Sequence, residues 1–192
     1  MSEASAEIDT PADWGVLSDL PGNPLMWVLI LSELVVFGAL LLGFAVARLL
    51  HPAMFQAGQA SLNVMLGGLN TLVLITSGYC AARAVQARAL KGVTPSRLWL
   101  LAAMGLGGCF LAIKGVEYAD KAAHGWGIET NTFFTLFYLL TGFHALHVVM
   151  GIIVLGIVAW KNSVENLETG AAFWHMIDLV WLILFPLVYL LR

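Results

Sequence analysis

Five ionisable side chains lie inside long apolar stretches of this sequence. They are Glu33, His144, His147, His175 and Asp178. His144 and His147 are three residues apart in FFTLFYLLTGFHALHVVM (133–150), so on a helix they share one face. An ionisable group inside hydrocarbon is costly, and in a membrane segment it is a functional-site hypothesis by default. We therefore take these five residues as the candidate buried polar site.

Buried histidine and carboxylate side chains support three kinds of role. They can ligate a metal or haem, relay protons, or form hydrogen bonds that fix the packing of helices. A His-x-x-His pair is a weak metal signal, and the paired Glu-x-x-His motifs of a di-iron bundle do not occur in the chain. The residues alone are compatible with two alternatives. The chain could be a stand-alone intramembrane protein that binds protons or a metal, or these side chains could have a purely structural role. We assign no catalytic residue and no metal ligand.

The composition indicates a membrane protein. Of the 192 residues, 60% are hydrophobic and 11% are charged, whereas a soluble domain carries about 25% charged residues. The net charge is -3, and no basic patch suggests a nucleic-acid partner. Cys80 and Cys109 lie in different apolar runs and form neither a disulfide framework nor a zinc-binding spacing.

Five apolar runs predict an all-α, polytopic fold with five transmembrane helices. A hydrocarbon core of about 30 Å needs about 20 apolar residues per span. The predicted helices cover about 24–50, 62–90, 95–121, 131–160 and 170–191. Pro186 is expected to kink the fifth helix, because proline has no backbone N–H. Residues 1–23 contain five acidic residues but no Lys or Arg, which predicts a flexible tail and not a signal peptide.

Polar side chains on the second and third predicted helices indicate contacts between helices. Asn70 and Ser77 are seven residues apart, so they lie on nearly the same face, and Thr71 lies beside them. We expect these side chains to form hydrogen bonds with a neighbouring helix. Glu117 follows Lys114 by three residues, a spacing suited to a local ion pair near the membrane surface.

The basic residues predict the orientation. The densest cluster consists of Arg83, Arg88, Lys91 and Arg97, which we assign to the second loop. The positive-inside rule places this loop in the cytoplasm. With five spans, the N-terminus is then cytoplasmic and the C-terminus lies on the outer side. Counted from helix starts near residues 24 and 170, Glu33 and Asp178 are expected at one depth, about 12–13 Å from the cytoplasmic helix ends.

Five segments resemble motifs of cytochrome c oxidase subunit III, in the order of that family. They are SELVVFGALLLGF (32–44), LNTLVLITSGY (69–79), FLAIKGVEYAD (110–120), TGFHALHVVMG (141–151) and FWHMIDLVWLILF (173–185). The mitochondrial type has seven helices, of which the first two have no counterpart here, so the resemblance is to the five-helix type. LPGNPLMWV, LHPAMFQAGQASL and LNTL most resemble the NorE-type accessory protein of bacterial nitric oxide reductase.

The resemblance implies a non-catalytic, multi-pass subunit or accessory protein in the bacterial inner membrane, with its C-terminus in the periplasm. It would support assembly, lipid binding or stability of the haem-copper catalytic subunit of a nitric oxide reductase. The alternative is subunit III of a terminal cytochrome c or quinol oxidase. No cofactor of its own is expected, only bound phospholipid, since haem and metals belong to the partner subunit. Glu33, His144, His147, His175 and Asp178 fall on signature positions of the family.

Overall fold

The fold is a bundle of α-helices, given by a computed structural model that describes residues 24–191. The α-helices are α1 (Pro24–Leu50), α2 (Pro52–Ala60), α3 (Val64–Lys91), α4 (Val93–Ala123), α5 (Thr132–Lys161) and α6 (Val164–Phe185). A π-helical turn, Pro186–Leu190, continues α6. Five of these elements are long and apolar enough to cross a membrane, so the predicted all-α fold with five spans is confirmed. The tail predicted over residues 1–23 lies outside the described residues.

Three of the long helices begin with a side-chain cap. Asn63 accepts a hydrogen bond from the backbone N–H of Leu66, at 3.0 Å, and Asn131 caps α5 in the same way. Ser163 accepts a hydrogen bond from the N–H of Asn166, at 3.2 Å. Each cap satisfies a backbone donor that the first turn of a helix leaves without a partner. Because Ser163 is such a cap, α6 begins at residue 164 and not near the predicted residue 170.

Two connections also differ from the prediction. Pro52 begins the short helix α2 directly after α1, where the sequence predicted only a loop. Gly92 alone separates α3 from α4, and its φ of 94° lies in a region that glycine adopts at low cost. Most of the predicted basic loop is therefore helix, and Arg83 lies inside α3. At Pro186, where a kink is predicted, the α-helix gives way to the π turn.

The packing makes α6 the central helix and α1 the peripheral one. We compare the most apolar 18 residues of each span. In the span that contains α6, 56% of these residues are buried, whereas in α1 only 11% are buried. Helix α6 packs against α1, α3 and α5, while α4 packs against α3 and α5. Lipid tails are as apolar as this core, so close packing and interhelical hydrogen bonds hold the bundle together.

Trp174 of α6 shows how close this packing is. A Cβ atom added to Gly107 of α4 would lie 2.7 Å from its ring, and one added to Gly151 of α5 would also lie 2.7 Å away. Real Cβ contacts are never that short, so both positions require glycine while the indole stays in place. The two glycines allow α4 and α5 to close around a fully buried tryptophan.

Hydrogen bonds tie the helix ends together on the two sides of the bundle. On the side where α3 meets α4, hereafter the Gly92 side, Arg88 donates to the carbonyl of Asn162 at 2.9 Å. On the opposite side, hereafter the Ser61 side, Lys121 donates to the carbonyl of Ser61 at 2.8 Å. The spans therefore alternate in direction, and their ends are joined by contacts between backbone and side chains.

Candidate functional site

Glu33 and His147 form a contact between α1 and α5. The Oε2 atom of Glu33 lies 3.1 Å from Nε2 of His147, and the side chains are 21% and 6% exposed. The other ring nitrogen, Nδ1, lies 2.9 Å from the carbonyl oxygen of Phe143, one turn earlier on α5. Phe37 of α1 packs edge-on against the imidazole. The peripheral helix is thus joined to the bundle by a polar pair within an aromatic shell.

His144 lies apart from this pair although it is one turn away on the same helix. It is fully buried, and neither ring nitrogen has a hydrogen-bond partner within residues 24–191. Its ring is 5.1 Å from Trp181 and 5.5 Å from Phe110, centroid to centroid. In the described part of the chain, His144 therefore packs as an aromatic ring and does not join a polar relay.

His175 and Asp178 form the second pair, on α6. Nδ1 of His175 lies 3.7 Å from Oδ2 of Asp178, and the side chains are 46% and 10% exposed. The carboxylate occupies space that the missing side chain of Gly78 leaves on α3, since a Cβ atom there would collide with Oδ2. The second carboxylate oxygen, Oδ1, is buried and has no partner among the described residues.

The predicted depth of Asp178, about 12–13 Å from the cytoplasmic end of its helix, is wrong. Because α6 begins at Val164, Asp178 lies 14 residues into it and not eight, or about 21 Å at a rise of 1.5 Å per residue. His147, the partner of Glu33, lies at the middle of α5 (Thr132–Lys161). The His175–Asp178 pair and His147 therefore both lie near the centre of their helices.

The polar residues predicted on α3 do face neighbouring helices. Ser77 donates to the carbonyl of Ala103 on α4 at 2.7 Å and accepts from the indole N–H of Trp174 at 3.1 Å. Thr71 accepts from the indole of Trp181 at 3.0 Å. Asn70 donates to the carbonyl of Phe110, at 3.4 Å. These hydrogen bonds orient the two large indoles of the core and join α3 to α4 and α6.

Glu117 forms the predicted local ion pair inside the bundle and not on its surface. It forms the pair with Lys114 at 2.7 Å, and both side chains are 3% exposed. Tyr189, from the π turn 72 residues further on, donates to Glu117 at 2.8 Å and accepts from Lys114 at 2.9 Å. The ammonium group also lies 5.0 Å from the ring centroid of Phe137. Aromatic rings therefore surround a Lys–Glu–Tyr cluster in which the charges of Lys114 and Glu117 balance.

Lys114 and Tyr189 were not among the site candidates of the sequence analysis, whereas Glu117 was. Lys114 and Glu117 have a spacing that also suits a surface ion pair, and burial cannot be deduced from spacing alone. Tyr189 lies near the end of an apolar run, where tyrosine commonly marks a membrane interface. The signal that could have found the cluster is Lys114 itself, since a lysine about seven residues inside the predicted span 95–121 needs a partner.

The geometry does not assemble the five candidates into one site. It contains two separate His–carboxylate pairs and an isolated His144. Within residues 24–191, no group of three His, Cys, Asp or Glu side chains is arranged to hold a metal ion. Glu33 and His147 join two helices, whereas His175 and Asp178 form a pair within α6 and His144 packs against aromatic rings.

The family model for cytochrome c oxidase subunit III matches residues 23–192. The chain belongs to this family. A relative named cytochrome c oxidase subunit 3 from Thermostichus vulcanus is 32% identical over 173 residues, which cover 85% of this chain and 84% of the relative. A probable cytochrome c oxidase subunit 3 from Nocardia farcinica is 30% identical over 169 residues, which cover 84% and 83%. The subunit III homologues and the five apolar helices indicate a multi-pass bacterial membrane protein.

Proposed function

We propose that this subunit III family member is the non-catalytic third subunit of a haem-copper terminal oxidase. It binds the catalytic subunit, which holds the haem and copper, and supports its assembly and stability. The family match across residues 23–192 carries the proposal. The geometry supports it, because Glu33 bonds to His147 across two helices and Ser77 and Thr71 bond to the two central indoles, which is a packing arrangement.

The choice of an oxidase reverses the preference drawn from the sequence. The motifs favoured the NorE-type protein of nitric oxide reductase, with oxidase subunit III as the alternative. The relatives cited above carry the names of oxidase subunits, which favours the alternative.

We propose a cytoplasmic location for the Gly92 side, in the inner membrane of a bacterium. Among residues 24–191, this side holds Arg83, Arg88, Lys91, Arg97 and Lys161, whereas the Ser61 side holds Arg48, Lys114 and Lys121. Of the latter three, only Arg48 is not buried. The positive-inside rule therefore favours this orientation. The N-terminus is then cytoplasmic, the C-terminus is periplasmic, and phospholipid covers the apolar outer surface.

Purification of the chain from native membranes tests the proposed function. A C-terminal affinity tag and a mild detergent should recover a haem-copper oxidase, identified by mass spectrometry of its catalytic subunit and by the reduced-minus-oxidised haem spectrum. Removal of the chain should shorten the turnover lifetime of the oxidase. Recovery of nitric oxide reductase subunits would support the NorE-type function instead. Recovery of the tagged chain without any haem protein would favour a stand-alone protein.

A further inference from the structure

We propose that residues 14–20 of this chain cover the mouth of a groove on the Gly92 side of the bundle. The groove lies between α1, α3 and α6, has a volume of about 590 Å³, and has mostly apolar walls. Helix α1 packs on α5 and α6, and the groove separates it from α3. The inference concerns contacts within one chain, so it does not depend on the proposed function.

The mouth of the groove is formed by Trp27, Gln86 and Glu168. Trp27 lies three residues after the start of α1, Glu168 four after the start of α6, and Gln86 five before the end of α3. At a rise of 1.5 Å per residue, all three are about 5–8 Å from the helix ends. Helices α1 and α3 have 27 and 28 residues, so they exceed a hydrocarbon core of about 30 Å by about 10–12 Å. The mouth therefore lies where hydrocarbon meets the headgroups.

The chain itself carries a suitable segment next to this mouth. In the sequence, 23 residues precede Pro24, the first residue of α1, and α1 begins beside the start of α6. Residues 14–20, WGVLSDL, bring four apolar side chains into an otherwise acidic region. Pro21 and Gly22 follow, and a Pro-Gly pair favours a turn, which directs residues 14–20 back towards Trp27. Leu17 is seven residues before Pro24, a reach of up to about 25 Å.

Charge and side-chain chemistry also match. Arg83 donates to Gln86 at 3.4 Å, and among residues 24–191 no carboxylate forms an ion pair with it. Asp13 and Asp19, on either side of the apolar residues, supply such a carboxylate. The indole of Trp14 prefers the boundary between hydrocarbon and headgroups. A phospholipid offers similar chemistry, but the segment is tethered, which gives it a high effective concentration at the mouth.

Photo-crosslinking in the full-length, membrane-bound chain tests this contact. Benzoylphenylalanine at Gln86 should form an adduct with residues 14–20, located by mass spectrometry of the digested protein. Leu98 is the matched control, because it is 63% exposed and lies five residues after the start of α4, a helix that does not line the groove. It should give at least tenfold less of this adduct. Adducts at Gln86 mainly with phospholipid or with another subunit would overturn the proposal, as would equal adducts from the two positions.

Substitutions within the segment test which side chains make the contact. Trp14→Ala combined with Leu17→Ala should lower the Gln86 adduct at least tenfold, whereas Ile8→Ala, outside the segment, should leave it unchanged. A reciprocal probe, benzoylphenylalanine at Leu17, leaves the described bundle untouched, so it decides the question even where the Gln86 variant does not accumulate. It should react with groove-lining residues of α1, α3 or α6. Leu17 adducts only elsewhere, or an unchanged Gln86 adduct in the double variant, would overturn the proposal.

Discussion

Nε2 of His147 lies 3.1 Å from Oε2 of Glu33, while Nδ1 of the same ring lies 2.9 Å from the carbonyl oxygen of Phe143. A carbonyl oxygen only accepts hydrogen bonds, so Nδ1 carries a proton. Nε2 is then either the acceptor of a neutral imidazole facing a protonated carboxyl, or the donor of an imidazolium facing a carboxylate. In both forms a single proton lies between Glu33 and His147.

This arrangement predicts different effects for two substitutions of Glu33. Glu33→Gln supplies an amide N–H to Nε2 of a neutral His147, so the bond between α1 and α5 is kept. Glu33→Ala leaves Nε2 of His147, a side chain only 6% exposed, without its partner, at a cost of about 1–3 kcal/mol for a buried group. We expect Ala to lower the stability of the complex and the turnover lifetime of the oxidase more than Gln does.

Co-purification yield and turnover lifetime measure the two variants. His147→Phe should resemble Glu33→Ala in co-purification, since it removes the other half of the pair. If Gln impairs turnover as much as Ala while the complex still assembles, Glu33 acts by titrating and not by bonding. If neither substitution changes either quantity, Glu33 has no functional part in the complex.

The Lys114–Glu117–Tyr189 cluster predicts a non-additive set of stabilities. Glu117→Met leaves the ammonium of Lys114 buried without its counter-charge, and breaking a buried pair in this way costs about 3–5 kcal/mol. The triple variant Lys114→Met, Glu117→Met and Tyr189→Phe removes every polar member and should be less destabilised than Glu117→Met alone. Thermal unfolding in detergent measures both. A triple variant that unfolds at a lower temperature than Glu117→Met would show that the cluster stabilises beyond its charge balance.

The sequence predicts features that depend on neighbouring residues, whereas it does not predict contacts between residues that are far apart in the chain. Five apolar runs determine the spans, because length and composition decide membrane crossing locally. The polar spacing on α3 predicts correctly that Ser77 and Thr71 face other helices. The pairing of Glu33 with His147 joins residues 114 positions apart, and only the packing of α1 on α5 creates it. Likewise, the early start of α6 depends on the capping bond of Ser163, which hydropathy does not detect.

Two adjacent glycines of α4 provide a test of the packing around Trp174. Gly107 faces the indole, with 2.7 Å available to an added Cβ atom, whereas an added Cβ atom at Gly108 meets nothing within 4 Å in the described structure. Gly107→Ala should therefore destabilise the bundle by about 1–3 kcal/mol through overpacking. Gly108→Ala should be neutral or slightly stabilising, since alanine favours helices by about 1 kcal/mol over glycine. Equal unfolding temperatures for the two variants would contradict the tight packing of Trp174.

The purified chain, separated from its partners, is predicted to contain no haem, copper or iron. The reason is the arrangement of its histidines and carboxylates in separate pairs, with no group of three metal-ligating side chains within residues 24–191. Elemental analysis and a visible spectrum measure this directly. The intact complex serves as the control, since its haem bands must appear. A stoichiometric metal or a Soret band in the isolated chain would contradict the prediction.

The predicted orientation places the junction of α3 and α4 in the cytoplasm. Reporters fused after Lys91 and after Arg192 should then report opposite sides of the membrane. A second measurement uses the two ends of α3 itself. Leu90 and Met65 are 82% and 83% exposed, and a helix of 28 residues is about 42 Å long, so both ends project from a core of about 30 Å.

In intact cells, a membrane-impermeant thiol reagent should label Met65→Cys from the periplasm and leave Leu90→Cys unlabelled. Cys80→Ala and Cys109→Ala remove the background thiols from both variants. Lysed cells are the control, because both introduced cysteines should react there. The expected cause of this asymmetry is charge, since among the described residues the Gly92 side holds most of the basic side chains that are not buried, and such side chains resist translocation. Labelling of Leu90→Cys alone in intact cells would reverse the topology and place the C-terminus in the cytoplasm.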